Sequence, residues 1–393
     1  MVDFRLSEEQ ISLQNLAKDF ARKEIEPICA SYDRKQDPKD CFPAHAFAKA
    51  IQFGLQSIYI PREYGGMGLG DFEASLVFEE IGAADAGFAS ALCISASIAQ
   101  AIIHFGTKEQ KGRWLPKICK DTDFILGFGV TEYGVGSEAY IASEDPKVGS
   151  KTTCKLEGDH YVINGVKHFI SNGGCGKLYG VAARNSLEKP MFGTICTFFV
   201  DADTPGFRIG KIEDKMGQRL MLNGELIFEN VKVPKENLVG QDGGGAAVLL
   251  DIGCSTSVTI GAIGIGIART AYELAASYAR KRMSGGKPLI EHEAVSLMLA
   301  DMKMEIDAAR SLLWRNTWLN DRDGRDYPRA AEVKVYCAEV SKRVANWAMQ
   351  IYGGLGYMRD SPVEKLVRDS AIMTIYDGTS EVLKQWISGQ SHL

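Results

Sequence analysis

The apolar residues of this chain change their spacing twice. Leu13, Leu16 and Phe20 recur at helical intervals, whereas between about residue 124 and Pro234 the apolar residues come in short strand-like runs, and beyond Pro234 the helical interval returns. A β segment enclosed by two helical ones leaves few architectures open. Ser7-Glu8-Glu9-Gln10 has capping-box form and predicts an amphipathic helix at the start. Helical patterns continue over 47–55 and 72–81, broken at Ile60-Pro61-Arg62-Glu63-Tyr64-Gly65-Gly66, where proline and paired glycines mark a turn. Tyr161-Val162-Ile163, His168-Phe169-Ile170, Thr197-Phe198-Phe199-Val200 and Leu226-Ile227-Phe228 read as strands, with turns at Gly158-Asp159, Asn164-Gly165 and Thr204-Pro205-Gly206. Long helices are predicted over 268–282, 294–318 and 330–352, with the polar run 320–326 as a loop. The chain therefore divides into an N-terminal helical domain (1–122), a middle β domain (123–235) and a C-terminal helical domain (236–393), an α+β protein.

The 393 residues and 45% apolar content suit a large packed core, and the net charge of −5 without like-charge blocks argues against a nucleic-acid partner or a polybasic membrane contact. Nine cysteines without a CxxC pair argue against a disulfide framework and a zinc site, and point to a reducing compartment. The six histidines show no metal-ligand spacing, so no metal site is expected. Asp3 and Arg5 interrupt any apolar signal run, and the apolar stretch 257–268 is too short to span a bilayer; its glycines suggest close helix packing. The expected location is cytoplasmic, or the mitochondrial matrix or peroxisome in a eukaryote, where Ser391-His392-Leu393 has the outline of a targeting tripeptide.

Four segments carry chemistry. Ile375-Tyr376-Asp377-Gly378-Thr379-Ser380-Glu381 holds a carboxylate which, against an apolar pocket, is suited to act as a proton acceptor, although Asp before Gly is also a common turn. Val130-Thr131-Glu132-Tyr133-Gly134-Val135-Gly136-Ser137-Glu138 combines glycines, which allow close backbone approach to a flat ring, with the Thr131 and Ser137 hydroxyls. Lys167-His168-Phe169-Ile170-Ser171-Asn172-Gly173-Gly174 sets an aromatic and a hydroxyl near a strand end. Gln350-Ile351-Tyr352-Gly353-Gly354-Leu355-Gly356-Tyr357 is a glycine cluster that can free backbone N–H groups for phosphates.

Taken in chain order, the four segments resemble those of the acyl-CoA dehydrogenases, a likeness that covers about residues 3–390, with Asp377 where many members carry a glutamate base. The resemblance implies the family fold: an N-terminal helical domain, a middle β-barrel-like domain and a C-terminal four-helix bundle. It also implies FAD as cofactor, contacted by Phe128, Val130, Thr131, Gly136, Ser137, Phe169, Ser171, Arg282, Thr379 and Glu381, while Gln350, Gly353 and Gly354 complete the FAD site of a neighbouring subunit in a homotetramer. Ser137, Ala89, Cys93, Asp251, Cys254, Ser255, Tyr376 and Gly378 are the implied substrate contacts. Asp377 is the implied catalytic residue, taking the α-proton of an acyl-CoA while its own backbone N–H polarises the thioester carbonyl, and an electron-transfer flavoprotein is the implied acceptor.

Several positions depart from the family pattern. Tyr133 replaces a proline, Arg282-Met283-Ser284-Gly285-Gly286 lacks the usual phenylalanine, Glu293 and Glu381 stand where glutamines are common, and Leu250-Asp251-Ile252-Gly253-Cys254-Ser255 lacks an arginine. A base shortened by one methylene, about 1.5 Å, together with Cys254 and Ser255 at the expected second-base positions, predicts room for an α-branched or alicyclic acyl group such as cyclohexanecarboxyl-CoA. A short straight-chain substrate, or a non-catalytic paralogue serving as a binding or assembly module, are the alternatives.

Overall fold

The computed structural model describes residues 5–389, so Ser391-His392-Leu393 lies outside the described residues. Ser7 and Gln10 close the expected capping box at the start of α1 (Glu8–Phe20). A π-helical stretch, Ala21–Ile25, leads into α2 (Glu26–Asp33), followed by α3 (Ala44–Gln52), α4 (Asp71–Ala84), α5 (Ala86–Phe105) and α6 (Lys108–Lys120). The predicted break at 60–66 is a turn containing the short helix Arg62–Tyr64.

The middle segment forms an eight-stranded sheet from β1 (Leu126–Gly129), β2 (Thr153–Glu157), β3 (His160–Ser171), β4 (Leu178–Arg184), β5 (Ile195–Asp201), β6 (Phe207–Ile212), β7 (Asn223–Pro234) and β8 (Leu238–Val239). The order is β6-β7-β3-β2-β4-β5-β8, and β1 runs parallel to β4. Tyr161, Ile163, Val181, Phe198 and Phe228 belong to its buried cluster. Asn164-Gly165 is not a turn, as the sequence suggested, but an irregularity inside the continuous strand β3, where the pairing to β7 shifts between Ile163 and Gly165. A second shift between Lys167 and Ile170 throws Phe169 out of the ladder.

The remaining chain is helical except for the hairpin of β9 (Met283–Ser284) and β10 (Lys287–Pro288). The helices are α7 (Gly245–Lys281), α8 (Glu293–Asp323), α9 (Tyr327–Tyr352), α10 (Pro362–Ala371) and α11 (Ser380–Ile387). α7 begins well before the predicted residue 268, because its first half is buried on nearly every side and carries no polar face to reveal a period. The predicted loop 320–326 is helical as far as Asp323: Asp321 accepts the Asp71 and Phe72 backbone N–H groups at 2.7 and 2.8 Å and so caps α4.

One core joins the first and last thirds of the chain. α7 packs against α9, α4 and α5, and its glycines set the distance. A Cβ on Gly266 would lie 2.5 Å from the Glu79 carbonyl oxygen, and one on Gly261 2.5 Å from the Val333 side chain, so the predicted close packing is real. The apolar stretch is longer than residues 257–268 suggested, and both α5 and α7 are long and apolar enough to cross a membrane. Their apolar windows are 89% and 83% buried inside the protein, which accounts for their composition.

Candidate active site

Asp377 lies on the turn between a single helical turn, Ile372–Thr374, and α11. Both Asp377 (φ 52°) and Gly378 (φ 83°) are left-handed, a conformation that Asp tolerates better than most residues, so the Asp-Gly pair is a turn and a candidate site at once. Three elements hold it. Thr379 caps α11 by accepting the Val382 N–H at 3.3 Å. Lys334, fully buried on α9, donates to the Gly378 carbonyl at 2.6 Å. The Tyr376 hydroxyl reaches Ser90, Gln218 and the Met373 sulfur at 3.3, 3.5 and 3.0 Å.

The Asp377 carboxylate accepts from Thr256 Oγ1 at 2.8 Å and faces Ser257 Oγ at 3.5 Å. Burial pushes its pKa up, opposed by the Thr256 hydrogen bond, the Lys334 charge and the Ser257 hydroxyl. Its backbone N–H has no acceptor within the described residues. A carboxylate of raised basicity beside an unpaired N–H can take a proton from a carbon whose neighbouring carbonyl oxygen accepts a hydrogen bond from that N–H.

The helix opposite is not in the register read from sequence. Cys254 and Ser255 do not meet Asp377: the Ser255 hydroxyl pairs with Ser97 Oγ at 3.3 Å, and Cys254 lies among the charges of Arg325, Asp251 and Asp71. Each residue along a helix rotates the side chain by about 100°, and it is Thr256 and Ser257 that face the base. Asp251 is likewise held elsewhere, by His104 Nδ1 at 2.9 Å and Arg325 at 3.6 Å. Ala89 and Cys93 on α5 are fully buried, and the Cys93 thiol meets Thr259 Oγ1 at 2.8 Å beside the base.

The loop 130–137 is stiffened by a buried ion pair. Lys167 Nζ lies 2.8 Å from Glu132 Oε1 and also donates to the Val130 carbonyl at 3.0 Å. Glu132 further accepts the Lys151 and Thr152 N–H groups at 2.6 and 2.9 Å and the Ser150 hydroxyl. Burial works to raise the Glu132 pKa, but the Lys167 charge and these donors hold it down at about 2. From this anchor Ser137 reaches Thr379 Oγ1 at 3.5 Å, and the Trp386 indole N–H donates to the Tyr140 carbonyl at 3.0 Å, so the loop docks on α11.

Next to the loop, Phe169 has φ 59° and is 53% exposed, a strained and wet position for a phenylalanine. The Thr131 and Ser171 hydroxyls make no hydrogen bond within the described residues, and a Cβ on Gly134 or Gly136 would meet nothing within 4 Å. An exposed aromatic, two unpaired hydroxyls and open backbone fit a flat heterocycle such as a flavin. Phe128, by contrast, packs over Gly180 and into the core, and Val130 packs beside it while giving its carbonyl to Lys167. Arg282, Gln350, Gly353, Gly354 and Glu381 are exposed; none hydrogen-bonds to the 130–137 loop or to Asp377 within the described residues of one chain.

Lys334, Thr256, and the Lys167–Glu132 pair have no role in the sequence reading. Lys167 and Glu132 sit inside quoted motifs, and a lysine within an otherwise apolar strand is the available signal. Lys334 and Thr256 lie in helices with no local mark.

The chain matches the models of the acyl-CoA dehydrogenase N-terminal domain over residues 7–122, the middle domain over 127–231 and the C-terminal domain over 255–391. It is 37% identical to a protein of Anaerotignum propionicum named acryloyl-CoA reductase (NADH), over 98% of this chain and 94% of that one. The butyryl-CoA dehydrogenase structure from Megasphaera elsdenii superposes with a TM-score of 0.92 at 34% identity, covering 99% of both chains. An acyl-CoA dehydrogenase of Bacillus anthracis solved with FAD gives a TM-score of 0.89 at 28% identity, over 99% of this chain and 67% of that one.

Proposed function

Because the chain belongs to the acyl-CoA dehydrogenase family, whose cofactor is FAD, we propose that it carries out α,β-dehydrogenation of an acyl-CoA thioester with Asp377 as the α-proton base. The observation that carries this reading is a single one: a carboxylate made more basic by burial and an unpaired N–H belong to the same residue. Asp377 takes the α-proton, and its N–H donates a hydrogen bond to the thioester oxygen as negative charge develops there. Thr256 orients the carboxylate from α7. Phe169, Thr131, Ser137 and Ser171 hold the isoalloxazine and exclude water from it. FAD, when bound, supplies the acceptor for the hydride leaving the β-carbon. A binding or assembly module needs neither the raised carboxylate nor the unpaired N–H.

The substrate we propose is branched at the α-carbon, an α-branched or alicyclic acyl-CoA of the cyclohexanecarboxyl type. It rests on the aspartate in place of a longer base and on the small hydroxyl side chains Thr256 and Ser257 across from it. The butyryl-CoA dehydrogenase likeness favours a short straight chain instead. A cytoplasmic homotetramer passing electrons to an electron-transfer flavoprotein completes the reading, supported by the exposed Gln350, Gly353 and Gly354 and by the exposed apolar Leu355, Tyr357 and Met358 beside them.

A panel of straight, branched and alicyclic acyl-CoAs, scored by anaerobic bleaching of the bound flavin, tests both parts. Wild type is expected to bleach fastest with a ring or α-branched thioester. Asp377→Asn, which suits the left-handed backbone, is expected to keep FAD and lose about 10³-fold or more in bleaching rate. Near-normal bleaching by that variant would falsify the base assignment, and a tenfold preference of wild type for butyryl-CoA would remove the branched-substrate reading.

A further inference from the structure

Lys334 is an odd residue to find where it lies. It is fully buried on α9, flanked by Val333 and Val335 in the core that joins the N- and C-terminal helices. Among the described residues no carboxylate lies within ion-pair distance, and its side-chain hydrogen bond, at 2.6 Å, goes to the Gly378 carbonyl, the peptide directly after the proposed base. A buried ammonium without a contact anion is costly to a fold, and an apolar side chain of the same length would pack there without that cost.

What the cation acts on is defined by its surroundings. Besides Lys334, the charged and titratable groups that interact with Asp377 are Cys93 from α5, Tyr140 from the middle segment, Tyr327 from the start of α9 and Tyr376 in its own turn. Burial pushes all four up, so they stay neutral through physiological pH and add no charge. The Thr256 and Ser257 hydroxyls donate hydrogen bonds only. Glu381 on the exposed side of α11 is the one other carboxylate whose charge Lys334 feels. Among the described residues Lys334 is thus the one full positive charge acting on the Asp377 carboxylate, and it is tied to the same turn.

We propose that Lys334 is a positioning residue for the base: it clamps the left-handed turn through the Gly378 carbonyl and holds Asp377 in the charged, proton-accepting form. The inference rests on the reading of Asp377 as the base. Without the cation, burial would be opposed only by the Thr256 and Ser257 hydroxyls, and the carboxylate would hold its proton to higher pH. A contact ion pair would go too far the other way and remove its basicity. Standing one peptide behind the carboxylate does neither. Burial brings the lysine itself down to about 8, with Asp377 and Glu381 opposing, so its charge is expected to fade toward alkaline pH.

The test is the pH profile of flavin bleaching under kcat/KM conditions in FAD-loaded wild type, Lys334→Gln, Lys334→Met and Lys334→Arg. Glutamine keeps a donor for the Gly378 carbonyl without the charge, methionine keeps neither, and arginine keeps both. The acid limb, set by the ionisation of the base, is expected to move up by about one pH unit or more in the Gln and Met forms, a tenfold loss below both limbs, and to stay near wild type in the Arg form. Should the Met form fail to fold, the Gln form alone decides. A Gln acid limb within roughly 0.3 unit of wild type, with FAD content intact, overturns the proposal. Asp377→Asn run alongside separates the two ideas: if that variant still bleaches, the base assignment is wrong; if it is dead while the Gln limb is unmoved, only the role of Lys334 is.

Discussion

Two of the buried lysines, Lys167 and Lys334, stand near carboxylates in opposite ways. In the middle segment Lys167 touches Glu132 at 2.8 Å, and with three further donors on the carboxylate the pair is closed. Near α11, Lys334 stops at the Gly378 carbonyl and leaves Asp377 with one strong hydrogen bond, from Thr256. The first arrangement holds a carboxylate pKa at about 2, useless for proton abstraction but rigid; the second leaves one raised by burial. Contact with the cation is what separates an anchor from a base. The glycine-bearing loop 130–137 needs the anchor, because the flexible backbone that lets a flat cofactor approach has to be stiffened from behind.

Opening the closed Lys167–Glu132 pair is expected to have the largest effect. Lys167→Met leaves Glu132 buried with hydrogen bonds but no cation in contact, only the charge of Arg184 farther off, and a loss of about 3–5 kcal/mol in folding stability is expected at pH 7, measured by denaturant unfolding of the FAD-loaded protein. The pH dependence carries the same signature. Because the Glu132 pKa is depressed in the fold, from 4.5 to about 2, its contribution in the wild type is fully present above the unfolded value and is lost as pH falls through that interval, with a magnitude of about 3 kcal/mol. In Lys167→Met that acid-side loss is expected to shrink. An unchanged acid unfolding curve would mean that Glu132 is held by its backbone and hydroxyl donors alone.

A smaller effect sharpens the other half. Asp377→Glu lengthens the base toward the α-carbon, and is expected to shift kcat/KM toward butyryl-CoA relative to cyclohexanecarboxyl-CoA by about tenfold, or 1.4 kcal/mol. The gain is opposed by the backbone, since φ 52° suits Asp and Asn better than Glu. The ratio between substrates, measured on one variant, cancels that cost, whereas the absolute rates do not.

Legibility in the sequence follows the same physics. Segments with a polar face or a turn residue are readable: α1 from its capping box, the β segment from its short apolar runs, Asp377-Gly378 from its motif and its turn chemistry together. What escapes is whatever is buried on all sides. Neither the bounds of α5 nor the first half of α7 can be read, because a helix without a solvent face has no period to show. For the same reason the sequence points to Cys254 and Ser255 opposite the base, where the register of α7 presents Thr256 and Ser257. Lys334 is invisible because its meaning depends on a carbonyl 44 residues later in the chain. Asn164-Gly165 misleads in the other direction, as turn residues used to bend one strand.

The smallest effect isolates the cost of keeping a base ready. Asp377 has its pKa raised by the fold, so ionising it there is harder than in the unfolded chain, and the native state is penalised once the unfolded carboxylate has lost its proton. The penalty is absent well below the unfolded value of 3.8, grows as pH rises through the interval up to the folded pKa, and is constant above it. Asn at the same position keeps the left-handed turn and removes the charge. Asp377→Asn is therefore expected to raise the melting temperature at pH 7 by about 1–3 °C, a gain that disappears near pH 3, in scanning calorimetry of the FAD-loaded protein. Its sign is opposite to that of removing the Lys167 charge. If Asp377→Asn instead melts lower at pH 7, the carboxylate is stabilised by its Thr256 and Lys334 partners more than burial penalises it, and the contrast between anchor and base narrows to a difference in degree.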